Sequence, residues 1–338
     1  MNAMPRFFLL LILISLCSCK EEYWDVEIDD IDYQANFVRL DTAVFALSGA
    51  ELQSRYQGLL EIHPDFLTDY VEDIMRIGDA RQPMTPGLLS QFIDDPLWRG
   101  LQNFVWENFP DLKAEEQEME RALKRYAAFF GEEQLPDLVA YNSGFNVGVY
   151  PTDYWIGVGL EWFAGKDNKW VKQLPPDIFP QYKRDKMERQ YLVPNALRGW
   201  LMYRYRELAQ DEDLLGEMIF AGKVLYLTRI LLQLEDEQRV LNYSPSQMRW
   251  ARENEYLVWK NLVERDLVYN QDPMEINKLM NDGPFTPGMP QESPGAIGKW
   301  LGYRMMEYYV KKNPNITLPE LMRESDKKKI LKAYKPGK

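Results

Sequence analysis

The chain has 338 residues, 46% hydrophobic and 27% charged, with 40 basic residues against 52 acidic ones and a formal net charge of -12. This composition excludes a disordered chain, a collagen-like repeat and a multi-pass membrane protein, and the charge repels phosphate backbones, so no nucleic-acid partner is expected. A single histidine excludes an H-E-x-x-H zinc site or any multi-histidine centre, and no metal or cofactor is expected.

Residues 1–18 read MNAMPRFFLLLILISLCS, with one positive charge at Arg6, an apolar run over 7–16 and small residues after it. That is the layout of a secretory signal, too short to span a bilayer. The only two cysteines are Cys17 and Cys19, so no disulfide can tie the body together. Leu16-Cys17-Ser18-Cys19 resembles the lipobox of bacterial lipoproteins, which predicts cleavage before Cys19 and acylation of that residue. Two or three acyl chains, at about 0.8 kcal/mol per buried methylene, would make the membrane a permanent partner through Cys19. Residues 19–36 are predicted to form an acidic tether. Its Lys20-Glu21-Glu22 start resembles a surface-export signal of Bacteroidetes lipoproteins but reads equally as a solvated spacer, which leaves periplasm and cell surface both open.

Residues 37–338 are predicted to form one α+β domain, predominantly helical, with a small β-hairpin or sheet packed on a helical body. FVRLDTAVF (37–45) alternates loosely and predicts a short strand or extended arm. Segments 49–56 and 65–77 predict amphipathic helices, with His63 in a loop or cap because Pro64 follows it. Residues 111–130 predict a surface helix with Leu112, Met119, Leu123, Tyr126 and Phe130 as its apolar stripe.

Between 138 and 163 the period changes to two, which predicts a hairpin turning at Pro151-Thr152-Asp153. Ile156, Val158, Leu160 and Trp162 fall on one side of it. Gly157, Gly159 and Glu161 fall on the other, where the glycines predict close approach by a backbone, a helix or a ligand, most simply by a packed helix. From 191 onward the pattern is helical: 195–208, 214–234, and 244–269 with Ser244 as cap and Pro245 in the first turn. A Pro/Gly-rich loop at 281–295 leads to a helix over 297–312, in which Gly298 and Gly302 leave a bare stripe for a neighbour.

No phosphate loop, dinucleotide fingerprint, nucleophile elbow or calcium loop is present, so no catalytic residue is assigned. A hydrolase of envelope polymers would have to use carboxylates such as Glu161 or Glu217. Trp155, Trp162, Trp170 and Trp200 would suit core packing, or the lining of a sugar or peptide groove.

The lipobox, FVRLDTAVF, WIGVGLEWFAGKD (155–167), Tyr191-Leu192-Val193-Pro194, MIFAGKVLYL (218–227) and PGAIGKWLGYRMMEYY (294–309) together resemble the gliding motility lipoprotein family GldB of Bacteroidetes, in order over nearly the whole chain. The resemblance implies a lipid-anchored cell-envelope protein of the gliding apparatus, with partners in the gliding and type IX secretion machinery. A more distant likeness, in the order of strand, helices and late Gly-rich helix, is to zincin-like metallopeptidases. Here the segment 195–205 has no histidine and Ala221 precedes Gly222, so this likeness implies a non-catalytic scaffold. It also implies a possible binding groove near the hairpin edge, formed by Tyr154, Trp155, Glu161, Trp162 and Trp200.

Overall fold

A computed structural model describes residues 24–209 and 213–337. The signal, Cys19 and the start of the acidic segment lie outside the described residues. From Trp24 on, that segment lies against the body: the Trp24 indole N–H donates to the Tyr226 hydroxyl at 3.1 Å, and the Tyr33 hydroxyl donates to the carbonyl of Pro136 at 2.8 Å.

Four strands, β1 (Phe37–Arg39), β2 (Asp137–Tyr141), β3 (Val149–Pro151) and β4 (Trp155–Gly159), form one sheet in the order β1-β2-β4-β3. Only β3 and β4 make the expected hairpin; β2 runs parallel to both β1 and β4. Alternation along a strand reports burial of its faces and carries no information on the direction of its partner, so the parallel pairing was hidden. Parallel strands are usually covered on both faces, and β4 is buried at every position. Leu138, Ala140, Ile156 and Val158 face the larger apolar cluster; Val139, Tyr141 and Trp155 face a second one.

The second cluster is roofed by α1 (Leu40–Phe45), α2 (Gly49–Ile62), α3 (Pro64–Asp69) and α4 (Thr85–Asp94). The expected strand over 37–45 therefore ends at Arg39. Leu40, Val44 and Phe45 are all buried, a spacing that only a helix can turn to one side. Helix α3 continues as a single wider π turn, Tyr70–Ile74. His63 joins α2 to α3, its ring stacked on Phe66.

Beyond α5 (Pro96–Asn108) and α6 (Lys113–Phe130), the larger cluster is built from the C-terminal half. In α6, Met119, Leu123 and Tyr126 are buried at helical spacing, and Gly131, at φ 66°, closes the helix in the left-handed region. After β4 come the short α7 (Lys169–Lys172) and α8 (Gln181–Arg184), then α9 (Leu192–Arg204) and α10 (Leu214–Leu232). Helix α10 is apolar nearly all round and runs through the centre, capped by the Asp213 carboxylate on the Gly216 N–H.

The remaining helices are α11 (Gln238–Leu241), α12 (Pro245–Glu264), α13 (Pro273–Met280), α14 (Ile297–Lys312), α15 (Leu318–Arg323) and α16 (Lys327–Ala333). Ser244 and Gln247 form a capping box on α12, which stops at Glu264, short of the expected 269. The bare stripe of α14 lies on α10: a Cβ on Gly302 would fall 1.7 Å from the Met218 carbonyl oxygen, and one on Gly222 2.2 Å from the Gly302 carbonyl carbon. The result is a single α+β body, mostly helical. Among the described residues no helix is long and apolar enough to cross a membrane.

Candidate functional site

Three parallel strands deliver polar residues to one end of the sheet. Arg39 ends β1, Asn142 and Ser143 follow β2, and Glu161 lies two residues beyond β4. Open sheets of this kind place their chemistry at the carboxyl ends of the strands. Here those residues bind one another. Arg39 donates twice to Asp41, at 2.8 Å each; Gln102 Nε2 donates to Asp41 at 2.8 Å, and Asn142 Nδ2 to Gln102 Oε1 at 2.9 Å. The Tyr70 hydroxyl closes the chain on the Asn142 carbonyl at 2.7 Å.

Glu161 is fully buried beside this chain. One carboxylate oxygen accepts from the Ser143 N–H at 2.9 Å, the Ser143 hydroxyl at 2.7 Å and the Phe145 N–H at 3.1 Å. The two N–H groups converge because Gly144 and Phe145 both take positive φ, at 63° and 68°. A Cβ on Gly144 would also crowd the Trp98 ring at 3.1 Å. The second carboxylate oxygen, like the hydroxyl of Tyr141, has no partner among the described residues. Burial pushes the Glu161 carboxyl up to about 7 despite the hydrogen bonds that favour its charged form.

The five groove residues do not share a surface. Tyr154, 68% exposed at the hairpin turn, is the only one in open solvent. Trp155 is buried in the second cluster against Phe66 and Tyr150, and Trp200 in the larger one against Tyr126. Half-buried Trp162 packs on Phe145 and Phe179. Trp170, also half-buried, covers Gly100, and Glu217 lies in the first turn of α10. The glycines of β4 are not covered by a helix. The Cβ sites of Gly157 and Gly159 are taken by the rings of Trp155, Tyr141 and Trp162 and by the Val147 carbonyl, because the strand ends at Gly159 and 160–163 turn back as a 3-10 helix.

An open concavity lies elsewhere. A cleft of about 550 Å³ runs between the segment 182–191, the start of α12 and the loop 283–295, and is lined by Tyr182, Lys186, Tyr191, Tyr243, Gln247 and Glu292 among others. A separate recess of about 30 Å³ adjoins it, sharing Lys186, Asn242 and Tyr243 as lining, and there Lys186, Arg198 and Lys299 surround the single carboxylate of Asp282. Lys186 donates to Asp282 at 3.0 Å and Lys299 at 3.4 Å. Arg198 sits behind them, spending its guanidinium on the Val240 carbonyl and the Asn195 side chain, both at 2.8 Å. Burial would raise Asp282, but Lys186, Lys299 and Arg198 outweigh it and hold the carboxyl well below the usual range; burial lowers Lys299 and Arg198.

Nothing local in the sequence marks this recess, since Lys186 and Asp282 are 96 residues apart. The available signals were an arginine three residues after Asn195 in the first turns of α9 and an Asp-Gly-Pro step opening the long loop.

The family model described as gliding motility protein GldB matches residues 21–336. The chain belongs to this family, whose name is that of a gliding motility lipoprotein of the cell envelope. No curated protein and no solved structure matches the chain, so the likeness to zincin-like metallopeptidases has no solved counterpart.

Proposed function

We propose that this protein is a lipid-anchored, non-catalytic binding component of the gliding motility machinery, held in the envelope through acylated Cys19 and docking other envelope proteins at the 182–191/283–295 cleft. The observation that carries the reading is the cleft itself: about 550 Å³, open, and lined by tyrosine, amide, hydroxyl and mixed charged groups that suit recognition of a polypeptide. Two further observations support it. The residues delivered to the carboxyl ends of the strands are engaged with each other, and His63 joins two helices with its ring stacked on Phe66. The lipid anchor rests on the signal and the Leu16-Cys17-Ser18-Cys19 pattern.

A second reading, an envelope hydrolase, is favoured by one observation: Glu161 is pushed up to about 7 and has an unpartnered oxygen, the pattern of a general acid. One complementation experiment separates the two. In a deletion strain that has lost spreading on agar, Glu161→Gln keeps the hydrogen-bond acceptor and removes the proton chemistry. The binding reading expects full rescue by Glu161→Gln and none by Ser246→Arg with Gln291→Arg, two exposed substitutions on opposite lips of the cleft. Cys19→Ala is expected to abolish envelope retention and rescue together. Rescue by the lip variant and failure of Glu161→Gln would hand the function to the hydrolase.

A further inference from the structure

The recess that adjoins the cleft at Lys186, Asn242 and Tyr243 is charged in a way its own residues do not balance. Three cations, Lys186, Arg198 and Lys299, face one carboxylate, Asp282, in a chain whose overall charge is -12. We propose that the recess is a carboxylate-binding subsite, and that the cleft takes a polypeptide segment which presents one carboxylate, at its C-terminus or on a side chain, to Lys186 and Lys299. This deepens, and rests on, the reading of the cleft as a docking surface.

The donor set selects the anion. Arg198 gives one N–H from each terminal nitrogen to Val240 and Asn195, so both prongs of its fork are already held by the protein and two of its five donors are used. Lys186 and Lys299 each carry three N–H donors and give one hydrogen bond to Asp282, which leaves compact ammonium groups with donor capacity on the cleft side. The recess, about 30 Å³, has room for one small anionic head group and not for an extended polyanion. The outer cleft sets the rest of the ligand. Asp185, Glu188 and Glu292 line it with Lys166 as the single additional cation, so a polyanion is repelled there, while Gln291 and the Gln247 Nε2, which the capping box does not use, offer hydrogen bonds to a peptide backbone. A monocarboxylate on a polypeptide satisfies both ends.

The test uses the full-length lipoprotein in detergent and reads the rate at which each lysine is reductively methylated, by mass spectrometry. The probes are acetate, inorganic phosphate, a random dodecapeptide pool with free C-termini and the same pool amidated. Acetate and the free-acid pool are expected to slow Lys186 and Lys299 at least about fivefold and to leave the other lysines unchanged. Weaker protection by the amidated pool assigns the terminal carboxylate, and equal protection assigns side-chain carboxylates; both support the site. Protection by phosphate at lower concentration than by acetate overturns the carboxylate assignment, and protection by none of the four overturns the site.

The sign of one variant is the sharper criterion. Asp282→Asn removes the resident competitor and is expected to tighten acetate binding about tenfold, whereas Lys299→Met, read at Lys186, is expected to weaken it about tenfold. Weaker binding by Asp282→Asn would mean that Asp282 only positions the lysines, and would sink the proposal. Loss of anion binding with spreading intact in the lip-variant strain would remove both the subsite and the docking face, and leave the family-level role in gliding standing.

Discussion

The carboxyl ends of the parallel strands and the recess behind the cleft are both polar clusters assembled from distant segments, and they differ in whether they close. At the strand ends each strong donor meets an acceptor: Arg39 with Asp41, Gln102 with Asp41, Asn142 with Gln102, Ser143 and the Phe145 N–H with Glu161. Asp41, Gln102, Asn142 and Glu161 are all buried. In the recess three cations share one carboxylate, and Lys186 and Asp282 remain 24% and 46% exposed in their side chains. A buried group left unpaired costs the full loss of its hydration, which is why the strong donors of the first cluster all find acceptors, with the second Glu161 oxygen and the Tyr141 hydroxyl as the exceptions among the described residues. The second keeps contact with water and can afford an imbalance, so charge left over marks the place where another molecule completes it.

The largest effect that sharpens this contrast is expected from Asp41→Ala, which strips Arg39 and Gln102 of their shared acceptor inside the body. Breaking a buried ion pair on one side is worth about 3 kcal/mol or more, and urea unfolding should show a loss of that order. A loss below 1 kcal/mol, on the order of an exposed pair, would mean that the chain of hydrogen bonds is not a structural strut.

Glu161 comes next and carries a pH signature. Its folded pKa, about 7, lies above the value of a free glutamate, so its protonated form is the one the fold prefers. Its contribution to stability is fully present below about pH 4.5 and is lost as pH rises through about 7. From about pH 5 to about pH 8 the wild type should lose roughly 2 kcal/mol relative to Glu161→Gln, whose stability curve should be flatter. Asp69, half-buried and raised to about 6 chiefly by burial and then by Asp73, moves in the same direction, with a smaller effect because water screens it. Parallel curves for wild type and Glu161→Gln would show that the carboxyl remains ionised in the fold.

How much of this was legible beforehand follows the range of the interaction. The Ser244–Gln247 capping box is a three-residue pattern, and the Gly298–Gly302 stripe a four-residue one; both were readable and both are in place. The pairing of β2 with β1 and β4 was not readable, because a period of two states which face is buried and nothing about strand direction. From the sequence no element is assigned to α4 or α5, although the Asp95 side chain accepts from the Leu97 N–H and Pro96 opens α5. Glu161 was identifiable as a carboxylate of interest, but its three donors come from a loop whose positive φ at Phe145 has no residue signature. The recess joins an α9 arginine, an α14 lysine and two loop residues, and only the folded body brings them together.

The smallest stability effect is expected from Asp282→Asn, and its smallness is what distinguishes the two clusters. The partners are partly exposed, so an ion pair there is worth about 1 kcal/mol or less, and the three cations left behind repel one another through solvent. That repulsion should fade in about 1 M salt, where the screening length falls to about 3 Å, so the variant's deficit at low ionic strength should vanish at high. Acetate should do the same at far lower concentration if it occupies the vacated position, and it should stabilise Asp282→Asn more than the wild type, since binding only to the folded state adds directly to its stability. A deficit of about 3 kcal/mol that persists in high salt would place Asp282 with Asp41, as an internal strut. The recess would then be a second closed cluster, with its apparent excess of charge already neutralised by the fold.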